Sequence, residues 1–395
     1  MDSRLTAPVG GGNSDDVPAV ARLFLRLGFT AFGGPAAHVA LMESEVVTRR
    51  GWLTRAAFLD QQALVQVLPG PNSTELAIHI GHARAGWRGA IVAGLCFILP
   101  SVVMIWLLAA VAELPSLTAV TARVVWWVSP VVVVIIAEAL WKFGRQAFAR
   151  PGAAVVMPVA AVAACLVSSD LPVLVMGATA AIAFGVRGGG GAAGVAAGLA
   201  TLLAPGSMGA QAVGVPVTMP GAAAILVYFL RAGVSVFGSG YVLLAYLQRE
   251  LVEARGWLSM DALLQAAALA QITPGPLFST ATAAGYMIGG SMGAMAATVG
   301  IFAPAFASVA IGAPLRRLVA RSTLSRRALD GVVIASVALL GRALVGFALP
   351  LNAWQWAVAA AAAVSLLVVR VQATLVLVAV VVIGLAGAVL HFPPS

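Results

Sequence analysis

Five long stretches of this 395-residue chain, 89–112, 151–169, 188–230, 262–315 and 343–369, contain no Asp, Glu, Lys or Arg. A helix needs about 20 mostly apolar residues to cross a bilayer. A soluble globule of this size needs a polar skin, and with 9% charged residues this chain cannot supply one. The runs are continuous rather than alternating, which argues against a β-barrel. The fold class expected is therefore an all-α polytopic membrane protein. Soluble enzymes, nucleic-acid binders and disulfide scaffolds are excluded as main readings.

Comparing the chain with itself adds the next constraint. Residues 24–71 align without gaps on 229–276, with 21 of the 48 positions identical. Arg26 matches Arg231, Arg50-Gly51-Trp52-Leu53 matches Arg255-Gly256-Trp257-Leu258, and Gln66 with Pro69-Gly70-Pro71 matches Gln271 with Pro274-Gly275-Pro276. After one deletion, Gly86, Gly89 and Pro100 match Gly290, Gly293 and Pro304. The chain thus divides into a tail at 1–17, repeats at 18–204 and 218–395, and a Gly/Pro-rich linker at 205–217. The tail, with Gly, Ser and three Asp, reads as disordered, without the basic start and apolar core of a signal peptide.

Basic residues set the orientation of the repeats. In the first, positive charge lies at Arg84/Arg88 and Lys142/Arg145/Arg150, and the loop between them has Glu113 and no base. In the second, the counterpart of 84–88 is uncharged, and the counterpart of the acidic loop carries Arg316, Arg317, Arg321, Arg326 and Arg327. The bias has changed sides, so the positive-inside rule inserts the repeats in opposite orientations. Spans near 153–169, 171–186 and 190–204, with Asp170 outside and Arg187 inside, carry the chain to the linker. The N-terminus falls in the cytoplasm and the C-terminus outside. The net charge of +9 follows from the same loops and does not imply nucleic acid.

Each repeat begins with interrupted segments. The first has a break at Phe32-Gly33-Gly34-Pro35 and another at Pro69-Gly70-Pro71. Irregular backbone at membrane depth is tolerated only inside protein or along a watery cavity. The segments are therefore broken spans, giving about 13 crossings, or re-entrant hairpins, giving about nine. Arg49, Arg50 and Arg55 favour hairpins opening inward. Paired Gly/Pro interruptions are the best sequence pointer to a transporter's binding site.

The candidate substrate-binding residues follow. Asn72, Ser73 and Thr74 open a helix whose N–H groups suit an anion, though the same residues make ordinary N-caps. Ser279 and Thr280 stand at the matching place, after the apolar Leu277-Phe278. Gly33, Gly34, Gly70 and Gly275 supply the backbone breaks. Arg26 and Arg231 carry forked cations that suit an oxyanion, with interfacial snorkelling as the alternative for Arg26. Gln66 and Gln271 are further donors. Glu75 and His38 are candidates for a coupling proton, and Glu138 is expected to pair with Lys142 one turn on. No nucleotide, haem, flavin or iron–sulfur motif is present, so neither a cofactor nor direct ATP drive is expected. Cys96 and Cys165, in apolar runs, and the scattered histidines suggest no metal site.

Four segments carry a family likeness: Phe32 to His38, Arg49 to Leu53, Val67 to Thr74, and Phe97 to Ser101. Together they resemble the chromate ion transporter family, in its long, two-domain form. The resemblance implies a bacterial inner-membrane protein that exports chromate and confers chromate resistance, with sulfate as a related oxyanion. The second repeat departs from the pattern, with Phe237-Gly238-Ser239-Gly240 for the first break. From the residues alone the reading stops at a secondary transporter with an anion-suited midplane site, working by alternating access. Another oxyanion, or a channel, stays open, and a homodimer is among the partners the sequence allows.

Overall fold

The structure, a computed structural model, describes residues 16–32, 34–66, 68–150, 152–166, 177–182, 219–237, 240–321 and 323–390. Gly33, Asp170, Arg187, the linker at 205–217 and most of the tail lie outside the described residues. Every regular element among the described residues is helical.

The first repeat contributes α1 (Val17–Thr30), α2 (Gly34–Glu43), α3 (Arg55–Val65), α4 (Asn72–Ala112), α5 (Thr118–Phe148) and α6 (Ala153–Leu166). The second contributes α7 (Ala222–Ser235), α8 (Gly240–Leu247), α9 (Met260–Ile272), α10 (Thr280–Arg321), α11 (Thr323–Ala348), α12 (Ala353–Ala363) and α13 (Ala373–Leu390). Both α2 and α8 widen into a π-turn at the same place, Ser44–Arg49 and Gln248–Ala254. Both α3 and α9 start from a hydroxyl cap, Thr54 and Ser259, each accepting the N–H three residues on.

Among the described residues, four helices are long and apolar enough to cross a membrane: 72–112, 119–148, 277–312 and 327–348. The first and third are not straight. Gly86 sits at φ +60° and Gly290 at φ +59°, both with ψ near −150°. A Cβ disfavours that backbone. At each point the helix folds back on itself. Thr282 and Thr298, 16 residues apart, would be about 24 Å apart on a straight helix, yet their hydroxyls are 2.8 Å apart. In α4 a Cβ on Gly94 would lie 2.9 Å from Ile78, also 16 residues away. Each element is thus a short arm (72–84, 280–288) followed by a long limb.

The interrupted segments fold back as hairpins. Arg84, at the end of the arm, pairs with Asp16 at 2.9 Å and stacks on Trp52, which Arg50 also covers. Residues 16, 50, 52 and 84 therefore share one mouth, and the breaks lie at the far end. In the second repeat Arg255 lies over Trp257 and Tyr228, and the Gly289 backbone faces Ile225.

Equivalent spans of the two repeats run antiparallel. Trp106 donates to Ser291 at 3.2 Å while Gly94, earlier on its limb, faces Phe306, later on the other. Likewise Arg150 pairs with Asp330, and Leu140 faces Gly341. The repeats are inverted, as the charge pattern requires.

Candidate functional site

Each Pro-Gly-Pro tip completes its hydrogen bonding on the first break of the opposite repeat. Gly70 donates its N–H to the Val236 carbonyl at 2.8 Å, in the break between α7 and α8. Gly275 donates to the Ala31 carbonyl at 2.9 Å, in the break between α1 and α2. Both glycines have positive φ, +127° and +104°. Space is short as well as twisted. A Cβ on Gly275 would meet Ser101 Cβ at 2.7 Å, and one on Gly240 would meet Leu277 Cβ at 2.5 Å.

Polar atoms collect around this crossing and many stay unused. Thr74 Oγ1, Ser101 Oγ, Ser279 Oγ, Gln271 Nε2 and both oxygens of Glu75 are buried with no hydrogen-bond partner among the described residues. Leaving a buried polar group unpaired costs about 1–3 kcal/mol, so a concentration of such atoms marks a place built for something else. Ser73 is also buried. Thr280 differs, because its hydroxyl donates to the Leu277 carbonyl at 2.7 Å. Pro71's carbonyl takes the N–H groups of Thr74 and Glu75, closing the first turn of α4. Asn72 opens that turn, whereas the second repeat first makes a 3-10 turn at Leu277–Ser279. Gly34 lies at φ +80° opposite the Tyr241 hydroxyl, and Gln66 is exposed at the end of α3. His38 holds the Ala31 carbonyl with Nε2 at 3.0 Å and packs edge-on against Phe97.

The two equivalent arginines have different surroundings. Arg26 turns toward the mouth and pairs with Glu45 at 2.5 Å, alongside Arg49 at 2.7 Å and Arg50 at 3.4 Å. Burial acts to raise the Glu45 pKa, but hydrogen bonds and charge from these guanidiniums prevail and hold it below the usual carboxylate value. Arg231 has no ion pair among the described residues. It lines a pocket of about 480 Å³ with Leu68, Pro69, Glu75 and Ser308. A wider cleft of about 550 Å³ opens between Glu113 and Asp261. Its two carboxylates disfavour an anion there. Glu138 pairs with Lys142 at 2.5 Å, as its spacing suggests.

The chromate transporter family matches residues 19–186 and 223–388, once for each repeat. The chain belongs to the chromate transporter family. A chromate transport protein of Pseudomonas aeruginosa is 30% identical over 345 residues, covering 84% of this chain and 81% of that protein. One from Cupriavidus metallidurans is 29% identical over 333 residues, covering 82% and 81%. An uncharacterized transporter of Bacillus subtilis is 36% identical over 124 residues, 31% of this chain and 62% of its own. No solved structure matches. Within this chromate transporter family member, sequence reasoning missed Ser308 and His79, which carry no break or repeat signal. Ser101 could have been found, because it follows Pro100 in a segment that carries the family likeness.

Proposed function

We propose that this protein exports chromate across the bacterial inner membrane by alternating access at the crossed tips, and that it thereby confers chromate resistance. The observation that carries the reading is the exchange of backbone hydrogen bonds between each tip and the first break of the opposite repeat, with unpartnered donors gathered around it. Thr74, Ser101, Ser279 and Gln271 are donors suited to a tetrahedral oxyanion, and Ser73 with the opened backbone at Gly70 and Gly275 completes the cradle. Arg231 supplies positive charge from the adjoining pocket, and Arg26 serves the mouth. Gln66 and Thr280 are peripheral, and Glu75 and His38 are the groups available for a proton.

In this reading the repeats at 18–204 and 218–395 are the two moving bodies, with the N-terminus cytoplasmic and the C-terminus periplasmic. Export of a dianion from a cell negative inside is electrically downhill by about 2.3 kcal/mol per charge per 100 mV, so no cofactor or nucleotide is required.

Counterflow in proteoliposomes loaded with chromate, sulfate, molybdate or phosphate tests it. Chromate and sulfate should exchange, and Ser101→Ala should weaken both by about five- to tenfold, the loss of one hydrogen bond of about 1 kcal/mol or slightly more. Absence of chromate counterflow by the intact chain refutes the reading.

A further inference from the structure

Glu75, His79 and His82 lie four and three residues apart on the 72–84 arm, a spacing that sets them along one face of a helix. Glu75 is fully buried at the crossed tips, and a Cβ on Gly70 would stand 3.2 Å from its Oε1. His79, buried one turn on, places Nε2 3.3 Å from the Ser308 hydroxyl of the other repeat. Ser308 lines the same 480 Å³ pocket as Glu75. His82 is half-buried in the last turn before the fold-back, its ring 5.6 Å from that of Trp87. The stripe therefore runs from the crossing to the mouth where Arg84 meets Asp16. The second repeat offers Thr280, Ala283 and Tyr286 instead, without a carboxylate or imidazole.

We propose that Glu75, His79 and His82 form a proton path between the mouth and the crossed tips, which couples oxyanion occupancy to protonation of Glu75. The proposal rests on the oxyanion reading above. A dianion in the cradle and an ionised, buried Glu75 repel one another, so occupancy favours the neutral carboxyl. The proton then comes from the mouth. It binds one ring nitrogen of His82, passes to His79 by release from the other nitrogen through water, and reaches a Glu75 oxygen. When the anion leaves on the far side Glu75 ionises again and its proton departs with the anion, and no electron moves.

Arg231 is the other charged residue lining the pocket with Glu75. Elements packed against the arm and its limb add Arg22 and Arg26 on α1, His38 and Glu43 on α2, Arg55 and Asp60 on α3, Asp261 on α9 and Tyr286 on α10. The side chains of Arg316, Arg317 and Arg321, further along α10, lie outside those described.

The test uses the full chain in proteoliposomes with a pH dye inside and a chromate or sulfate gradient across the membrane. Anion flux should carry a proton in the same direction. Anion affinity should fall about tenfold per pH unit once Glu75 ionises in the unoccupied protein and stays protonated when the anion is bound. Glu75→Gln should flatten that pH dependence and abolish the proton signal. His79→Gln, which keeps a partner for Ser308, should slow proton movement at least tenfold and retain the pH dependence of affinity. Anion flux without proton movement in the intact protein overturns the path and leaves the oxyanion reading standing. Absence of anion flux overturns both. If Glu75→Gln does not fold, His79→Gln decides: an undiminished proton signal overturns the proposal.

Discussion

Replacing Gly275 by Ala asks whether the second tip truly presses on the long limb of α4. Two costs combine at this position. The backbone lies at φ +104°, where an L-residue pays about 1–2 kcal/mol. The new Cβ would also stand 2.7 Å from Ser101 Cβ, against about 3.5–4.0 Å for comfortable carbon contacts. Overpacking of that kind costs about 1–3 kcal/mol, so the total is about 2–5 kcal/mol. Gly290→Ala is the control. Its φ of +59° carries similar strain, but nothing lies within 4 Å of its Cβ, so about 1–2 kcal/mol is expected. Ser101→Gly removes the obstructing side chain and alone costs about 0.5 kcal/mol in helix propensity. The double variant should recover about 1–3 kcal/mol, read as a coupling energy in a double-mutant cycle. Reversible unfolding of the detergent-solubilised chain provides the measurement. If Gly275→Ala is no worse than Gly290→Ala, or if the cycle is additive, the close approach of tip and limb is wrong.

Three further outcomes follow from other parts of the molecule. Arg231→Lys keeps charge but loses the planar fork, so transport should fall sharply at normal protein level, whereas Arg26→Lys should retain most transport because Glu45 keeps Arg49 and Arg50; equal losses in a flux assay would contradict the division of labour. Single cysteines at the equivalent caps Thr54 and Ser259 should react with impermeant reagents from opposite sides of the membrane, and labelling from one side would refute inversion. Glu45, with its folded pKa depressed, contributes stability that is complete above its unfolded pKa and drains away as pH falls through the folded value; acid unfolding of Glu45→Gln should lack that component, and identical acid profiles would remove Glu45 from the account.

Inversion was legible because charge asymmetry is a property of short loops, and the hairpins were favoured by Arg49, Arg50 and Arg55 standing where only a returning chain could keep them with Arg84. The breaks were legible because Pro and Gly announce irregular backbone. The contact between tip and opposite break was not. It is made by the N–H of Gly70 and the carbonyl of Val236, groups that every such residue carries, so no side chain advertises it. Gly86 and Gly290 read only as matching positions in the repeat, since a glycine in an apolar run looks the same in a straight helix as at a reversal. The divergence of Arg26 from Arg231 was hidden for a related reason. Glu45 reaches Arg26 across a chain reversal, at a separation of 19 residues that no helical spacing rule would pair. Its repeat counterpart, Glu250, bonds Arg255 at 3.6 Å instead.

The exchanged bonds also set a schedule for biosynthesis. Gly70 emerges from the ribosome roughly 165 residues before the Val236 carbonyl that will receive its N–H. At about 5–20 residues per second that interval lasts roughly 8–33 seconds. Throughout it the first tip sits in the nascent bundle with its donor unclaimed, and water or insertion machinery must cover it. A ribosome that stalls after the first repeat therefore leaves an unfinished product, open at its centre and ready for the quality-control proteases of the membrane.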